Sequence, residues 1–152
     1  MRRRLCVVAG FVVAGLTLAG CDAGRTESAQ RGEEDKPAQV QPIQGTDTSR
    51  VVLTSRAAER IGVKTEPVRE VVASGTTARS PAVPVTALVY DRTGAVWVYT
   101  STEPRTYVRQ RVTVARIDGN LALLLSGPAP GTAVTTVGAA ELLGAEYGVE
   151  GR

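Results

Sequence analysis

The sequence predicts a mainly β protein: a small barrel- or sandwich-like domain with one or two short helices, preceded by a signal peptide and a flexible polar tether. Three observations carry this prediction. From about residue 50 onward, short apolar runs recur between clusters of Gly, Pro, Asp and Asn. Only two brief stretches, 56–61 and 139–143, read as helix, and neither a heptad pattern nor an internal repeat is visible. The first 48 residues hold one apolar run and then a polar stretch that has too little apolar surface to offset its ordering entropy.

The chain opens on a basic head, Met1-Arg2-Arg3-Arg4, followed by an uncharged apolar run of sixteen residues, Leu5 to Gly20, with three glycines. It closes on Leu18-Ala19-Gly20-Cys21. A basic, then apolar, then small-residue order describes a secretory signal peptide over residues 1–20. The ending resembles the lipobox of bacterial lipoproteins. That resemblance implies cleavage between Gly20 and Cys21, an acyl lipid such as palmitate on the Cys21 thiol, and attachment to the extracytoplasmic face of the cell membrane. Two other readings of the run stay open. One is an uncleaved span, for which sixteen residues fall just short of the usual ~17–25. The other is an ordinary signal peptide cut after Ala19 or Gly20, leaving Cys21 a free thiol.

Residues 21–48 read as the tether, with Val40 and Ile43 its only large apolar residues. A flexible chain of this length spans on the order of 30 Å. The folded domain is expected over 49–148, with a short tail at 149–152. Val51-Val52-Leu53 is a strand. Thr54 or Ser55 caps a brief helix over 56–61, and Gly62 stops it. Val63 to Ala73 alternates, with Pro67 marking an edge or a bend. Residues 74–81 read as a loop. Ala87 to Tyr90 and Ala95 to Thr100 form a hairpin about Asp91-Arg92-Thr93-Gly94. One long strand is expected over 106–117, then a turn at 118–120, strands at 121–125 and 133–137, and a terminal helical turn at 139–143.

Composition excludes several chemistries. The chain carries 18 basic and 15 acidic residues and no histidine. Loss of Arg2, Arg3 and Arg4 with the signal peptide leaves 15 of each sign, which removes the case for a nucleic-acid partner. Cys6 leaves with the signal and Cys21 takes the lipid, so no disulfide is expected. Without histidine or a spare thiol, neither a metal site of nitrogen and sulfur ligands nor a Ser-His-Asp or Cys-His nucleophile can be assembled. A carboxylate pair is the one acid–base arrangement left open in principle. However, Glu33-Glu34-Asp35 lies in the polar tether, where a solvated acidic patch is the plainer account, and the other acids are scattered singly. The expectation is a protein with no catalytic residues, metal or cofactor other than the lipid on Cys21.

Candidate partner-binding residues come from two strands. In Ala95–Thr100 both faces are apolar, Val96 and Val98 on one and Trp97 and Tyr99 on the other. Either one face docks a partner, or one fills the core while the terminal helix covers the other. Tyr107, Arg109 and Arg111 share a strand face; as exposed residues they suit an interface, and a plain solvated face is the alternative.

Leu53–Val68 resembles the opening of periplasmic adaptor subunits of RND- and HlyD-type efflux pumps (membrane fusion proteins). Val83–Val89, Gly94–Tyr99, Tyr107–Val114 and Ser126–Val134 followed by Gly138-Ala139-Ala140 resemble their membrane-proximal domain, and all the segments occur in the family's order. The family's barrel, lipoyl-like and hairpin domains have no counterpart; about ten residues, 74–83, stand in their place. The resemblance implies a non-enzymatic, lipid-anchored accessory or adaptor-like subunit of a membrane transporter permease, without the bridging role. A free-standing module that binds a ligand or a cell-wall component is the alternative. Oligomeric state is not legible.

Overall fold

The computed structural model describes residues 36–72, 75 and 77–148. The expected signal peptide, Cys21, the expected tether as far as residue 35 and the expected tail 149–152 lie outside the described residues. The chain is mainly β, with eleven strands in two antiparallel sheets and two helices among the described residues.

The first strand was not expected. β1 (Ala38–Pro42) pairs antiparallel with β2 (Ser49–Leu53), Val40 opposite Val51, so the tether ends earlier than residue 48 and an edge hairpin begins the domain. Most of β1 is exposed. Backbone ladder bonds make this strand, and they leave no apolar signature in the sequence.

Helix α1 (Ser55–Ile61) forms as its flanks dictate. Thr54 Oγ1 accepts the Ala57 N–H at 3.2 Å, and Gly62, at φ 68°, donates its N–H to the Ala58 and Glu59 carbonyls. β3 (Lys64–Pro67) and β4 (Arg69–Val72) are one chain bent at Val68, the residue after Pro67. β5 (Arg79–Pro84) claims Arg79, Ser80 and Pro81 from the expected loop. A 3-10 turn over Val85–Ala87 then shortens the next strand, β6, to Val89–Tyr90. β7 (Val96–Glu103) follows, and the expected long strand divides at Val112 into β8 (Thr106–Arg111) and β9 (Thr113–Asp118). β10 (Leu121–Ser126), β11 (Ala133–Val137) and helix α2 (Ala139–Glu146) complete the chain. α2 runs past 143 and through Gly144 to Glu146, whose carboxylate is held by the Ser49 N–H and the Tyr99 hydroxyl.

One sheet runs β1-β2-β8-β7-β11-β3, with β6 also on β7, and the other runs β4-β5-β10-β9. Since β3 continues into β4 and β8 into β9, the pairing returns on itself in a barrel-like ring. At the two corners, Val68 exchanges hydrogen bonds with Thr132 and Gly131 at 2.8 Å, and Val112 N–H donates to Val96 O at 3.0 Å. Val68, Val83, Val98, Val112, Ala122, Leu124 and Val134 form a buried cluster shared by both sheets, which we place inside the ring.

A second buried cluster covers the other face of the larger sheet. It joins Val51, Leu53, Val89, Trp97, Tyr99 and Tyr107 to Ala57 of α1 and to Ala139 and Leu142 of α2. Both faces of β7 are therefore covered, Val98 in one cluster and Trp97 with Tyr99 in the other. Gly138 makes the turn from β11 into α2 possible. Its φ is +91°, and a Cβ there would stand 2.7 Å from Ile61 Cγ2, so any side chain would meet both strain and a clash.

Candidate functional site

Register brings the five residues singled out from the sequence onto one face. Trp97 lies opposite Arg111, Tyr99 opposite Arg109 and Ser101 opposite Tyr107 on the paired strands β7 and β8. Exposure, however, differs from expectation. Trp97, Tyr99, Tyr107 and Arg109 are 6 %, 0 %, 5 % and 6 % exposed. Helix α2 lies over this face, so these four residues build the interior instead of offering a free contact surface. Arg111 alone is exposed.

The sequence reading missed Glu146, which anchors the cluster. Its side chain is 3 % exposed and its ion pair with Arg109 Nε is 2.8 Å long. Glu146 Oε1 also accepts the Ser49 N–H at 3.0 Å, and Oε2 accepts the Tyr99 hydroxyl at 2.6 Å. Arg109 donates in addition to the Asp47 carbonyl. Burial pulls the Arg109 guanidinium toward losing its proton, but the hydrogen bond and charge of Glu146 outweigh this and hold it more firmly protonated than usual.

The β6–β7 turn adds a second carboxylate. Asp91 Oδ1 accepts from Thr93 N–H, Thr93 Oγ1 and Ala95 N–H, while Oδ2 accepts Trp97 Nε1–H at 2.9 Å. The Thr93 hydroxyl and the Trp97 N–H hold this carboxyl far below the ordinary aspartate range, and the two backbone N–H groups add to them. Both carboxylates beside the cluster are thus occupied by internal donors.

Cations and rings alternate across this end of the sheet. Arg111 lies 6.0 Å from the Trp97 ring centroid, Arg109 lies between Trp97 at 4.3 Å and Tyr147 at 5.6 Å, and Arg92 lies 5.1 Å from Tyr147. These distances fall within the range of cation–π attraction. Arg109 is neutralised by Glu146; among the described residues, neither Arg92 nor Arg111 has a carboxylate partner. Among the same residues, no group of three His, Cys, Asp or Glu side chains is arranged to hold a metal ion. No described helix is long and apolar enough to cross a membrane.

Burial of the two tyrosines gives stability a pH dependence. The Tyr99 phenol is pushed well above its ordinary value, first by burial, then by its hydrogen bond to Glu146 and that carboxylate's charge. Burial also raises Tyr107, against a smaller opposing effect of Arg105. Above the ordinary tyrosine value of about 10, the unfolded chain releases phenolic protons that the folded chain retains. The unfolded state then binds fewer protons, so this contribution is complete below about pH 10 and is lost as pH rises further. One such tyrosine costs about 1.4 kcal/mol per pH unit. Denaturant midpoints should fall above about pH 10, and Tyr99→Phe should show a shallower fall; equal slopes would remove Tyr99 from this account.

Compared with known protein families, curated proteins and solved structures, the chain matches none.

Proposed function

We propose that the chain is a lipid-anchored extracytoplasmic protein whose small β domain serves as a non-enzymatic, adaptor-like accessory subunit of a membrane transporter. The observation that carries this reading is Leu18-Ala19-Gly20-Cys21 at the end of a basic and then apolar leader. On this reading Cys21 is a lipid attachment site upstream of a folded domain whose first strand begins at Ala38.

The chain path of the domain supports the adaptor-like part. Where the resemblance expects the missing domains, β4 and β5 are paired neighbours, Val72 opposite Arg79. The strand ends that would lead out to those domains and back adjoin here. A short link closes them without disturbing the pairing on either side.

Cross-linking in intact cells, followed by purification from mildly solubilised membranes, tests the reading. The expected result is recovery of a transporter subunit with the wild-type protein. Repeated recovery of none, together with a rise in melting temperature on adding a small ligand or a cell-wall fragment, would replace it with the ligand-binding alternative.

A further inference from the structure

We infer that the exposed members of the cation–aromatic array at the end of the larger sheet, Arg92, Arg111 and Tyr147, form a docking surface for a bilayer rich in anionic phospholipid, with the buried Trp97 and Arg109 holding them in place. The inference rests on the lipid-anchored reading for its biological setting, and on the array itself for its chemistry. Arg92 and Arg111 end a sequence of contacts, Arg111–Trp97–Arg109–Tyr147–Arg92, in which only the central guanidinium has a carboxylate. Asp91 and Glu146 spend their oxygens on internal donors, and Asp47, whose main-chain carbonyl accepts from Arg109, is exposed and forms no ion pair with Arg92 or Arg111. Two exposed cations are therefore left uncompensated, in a stretch, 36–148, with 12 basic and 9 acidic residues.

The arrangement favours a plane of headgroups over a single anion. The free guanidiniums sit at the two ends of the array, separated by two rings and a neutralised arginine, so they do not converge on one point. Headgroups spread over a surface meet each cation separately, and each contributes attraction that falls off within a Debye length. Tyr147, 36 % exposed, adds an amphipathic ring of the kind enriched at the membrane–water boundary. A guanidinium stacked on a ring is weakly hydrated and suited to phosphate.

The test uses the chain from residue 21 onward carrying Cys21→Ser, so that no lipid anchors it, with flotation on vesicles. Partition into phosphatidylglycerol–phosphatidylcholine vesicles is expected at low salt, with loss on raising salt and little partition into phosphatidylcholine alone. The pair Arg92→Gln and Arg111→Gln should weaken partition on the order of 10- to 30-fold. The pair Arg56→Gln and Arg79→Gln removes the same charge elsewhere and should change it by less than about 3-fold. Trp97 is the chain's one tryptophan, so quencher-labelled headgroups should dim its emission in the wild type and not in the Arg92/Arg111 variant. Unchanged melting temperatures show that both pairs fold.

Four results would overturn the proposal: equal partition into neutral vesicles, equal losses from both pairs, displacement by millimolar inorganic phosphate at constant ionic strength, or capture by polyglutamate without vesicle binding. Failure of the lipid-anchored reading is seen separately, as an unmodified Cys21 in the mass of the cellular protein.

Discussion

Glu146→Ala is expected to destabilise the domain by about 3–5 kcal/mol, the cost of stranding one member of a buried ion pair. That is a large part of the ~5–15 kcal/mol that holds a typical domain folded. The substitution leaves Arg109 without its counter-charge in a site where the side chain is 5 % exposed. It also deprives the Tyr99 hydroxyl and the Ser49 N–H of their acceptor. The lower end of the range is the better expectation, because Arg109 keeps its bond to Asp47 O and its place against Trp97. Denaturant unfolding of Glu146→Ala, Arg109→Met and the double variant Arg109→Met/Glu146→Leu measures this. The double variant should recover most of the loss, since apolar residues of similar volume often replace a buried pair at no cost. A single-variant loss below about 1 kcal/mol, the scale of a surface pair, would mean that α2 is not fastened by this carboxylate.

Cys21→Ala acts on location instead of stability. On the proposed reading, the variant should leave the membrane fraction or accumulate with its leader uncut, while the folded domain keeps its melting temperature. In membranes washed at high salt, which removes any attraction between Arg92, Arg111 and anionic headgroups, the effect should be nearly complete, because stable anchoring needs two acyl chains or their equivalent and the domain offers no spanning helix among its described residues. Fractionation and gel mobility equal to wild type would end the lipoprotein reading.

Most of the β pattern was legible because side chains and turn residues wrote it. Thr54 and Gly62 bound α1, and Asp91 to Gly94 turn β6 into β7, through hydrogen bonds made within a few residues of chain. β1 was illegible because its stability comes from main-chain pairing with β2. The shared face of Trp97, Tyr99, Tyr107, Arg109 and Arg111 followed from the two-residue period of strands. Their burial did not, since it depends on α2 folding back over them. Glu146 was within reach: it lies four residues after Leu142 and three after Leu143, on the same stripe of a helix one turn longer. Ending the helix at 143 hid the one acid that holds Arg109. Arg92 and Tyr147 meet only through tertiary structure, so no spacing announces their contact.

The single-residue corners at Val68 and Val112 make the two sheets share one parity. Each corner passes a strand from one sheet to the other with one buried valine between them. An insertion or deletion of one residue at either corner would turn the whole following segment inside out, sending apolar side chains to water and polar ones inward. Length changes at these two points keep that parity only in twos, unless a bulge of the kind already present in the β10–β9 and β11–β3 ladders absorbs the odd residue. A domain built this way should resist single-residue additions at its corners more than paired ones.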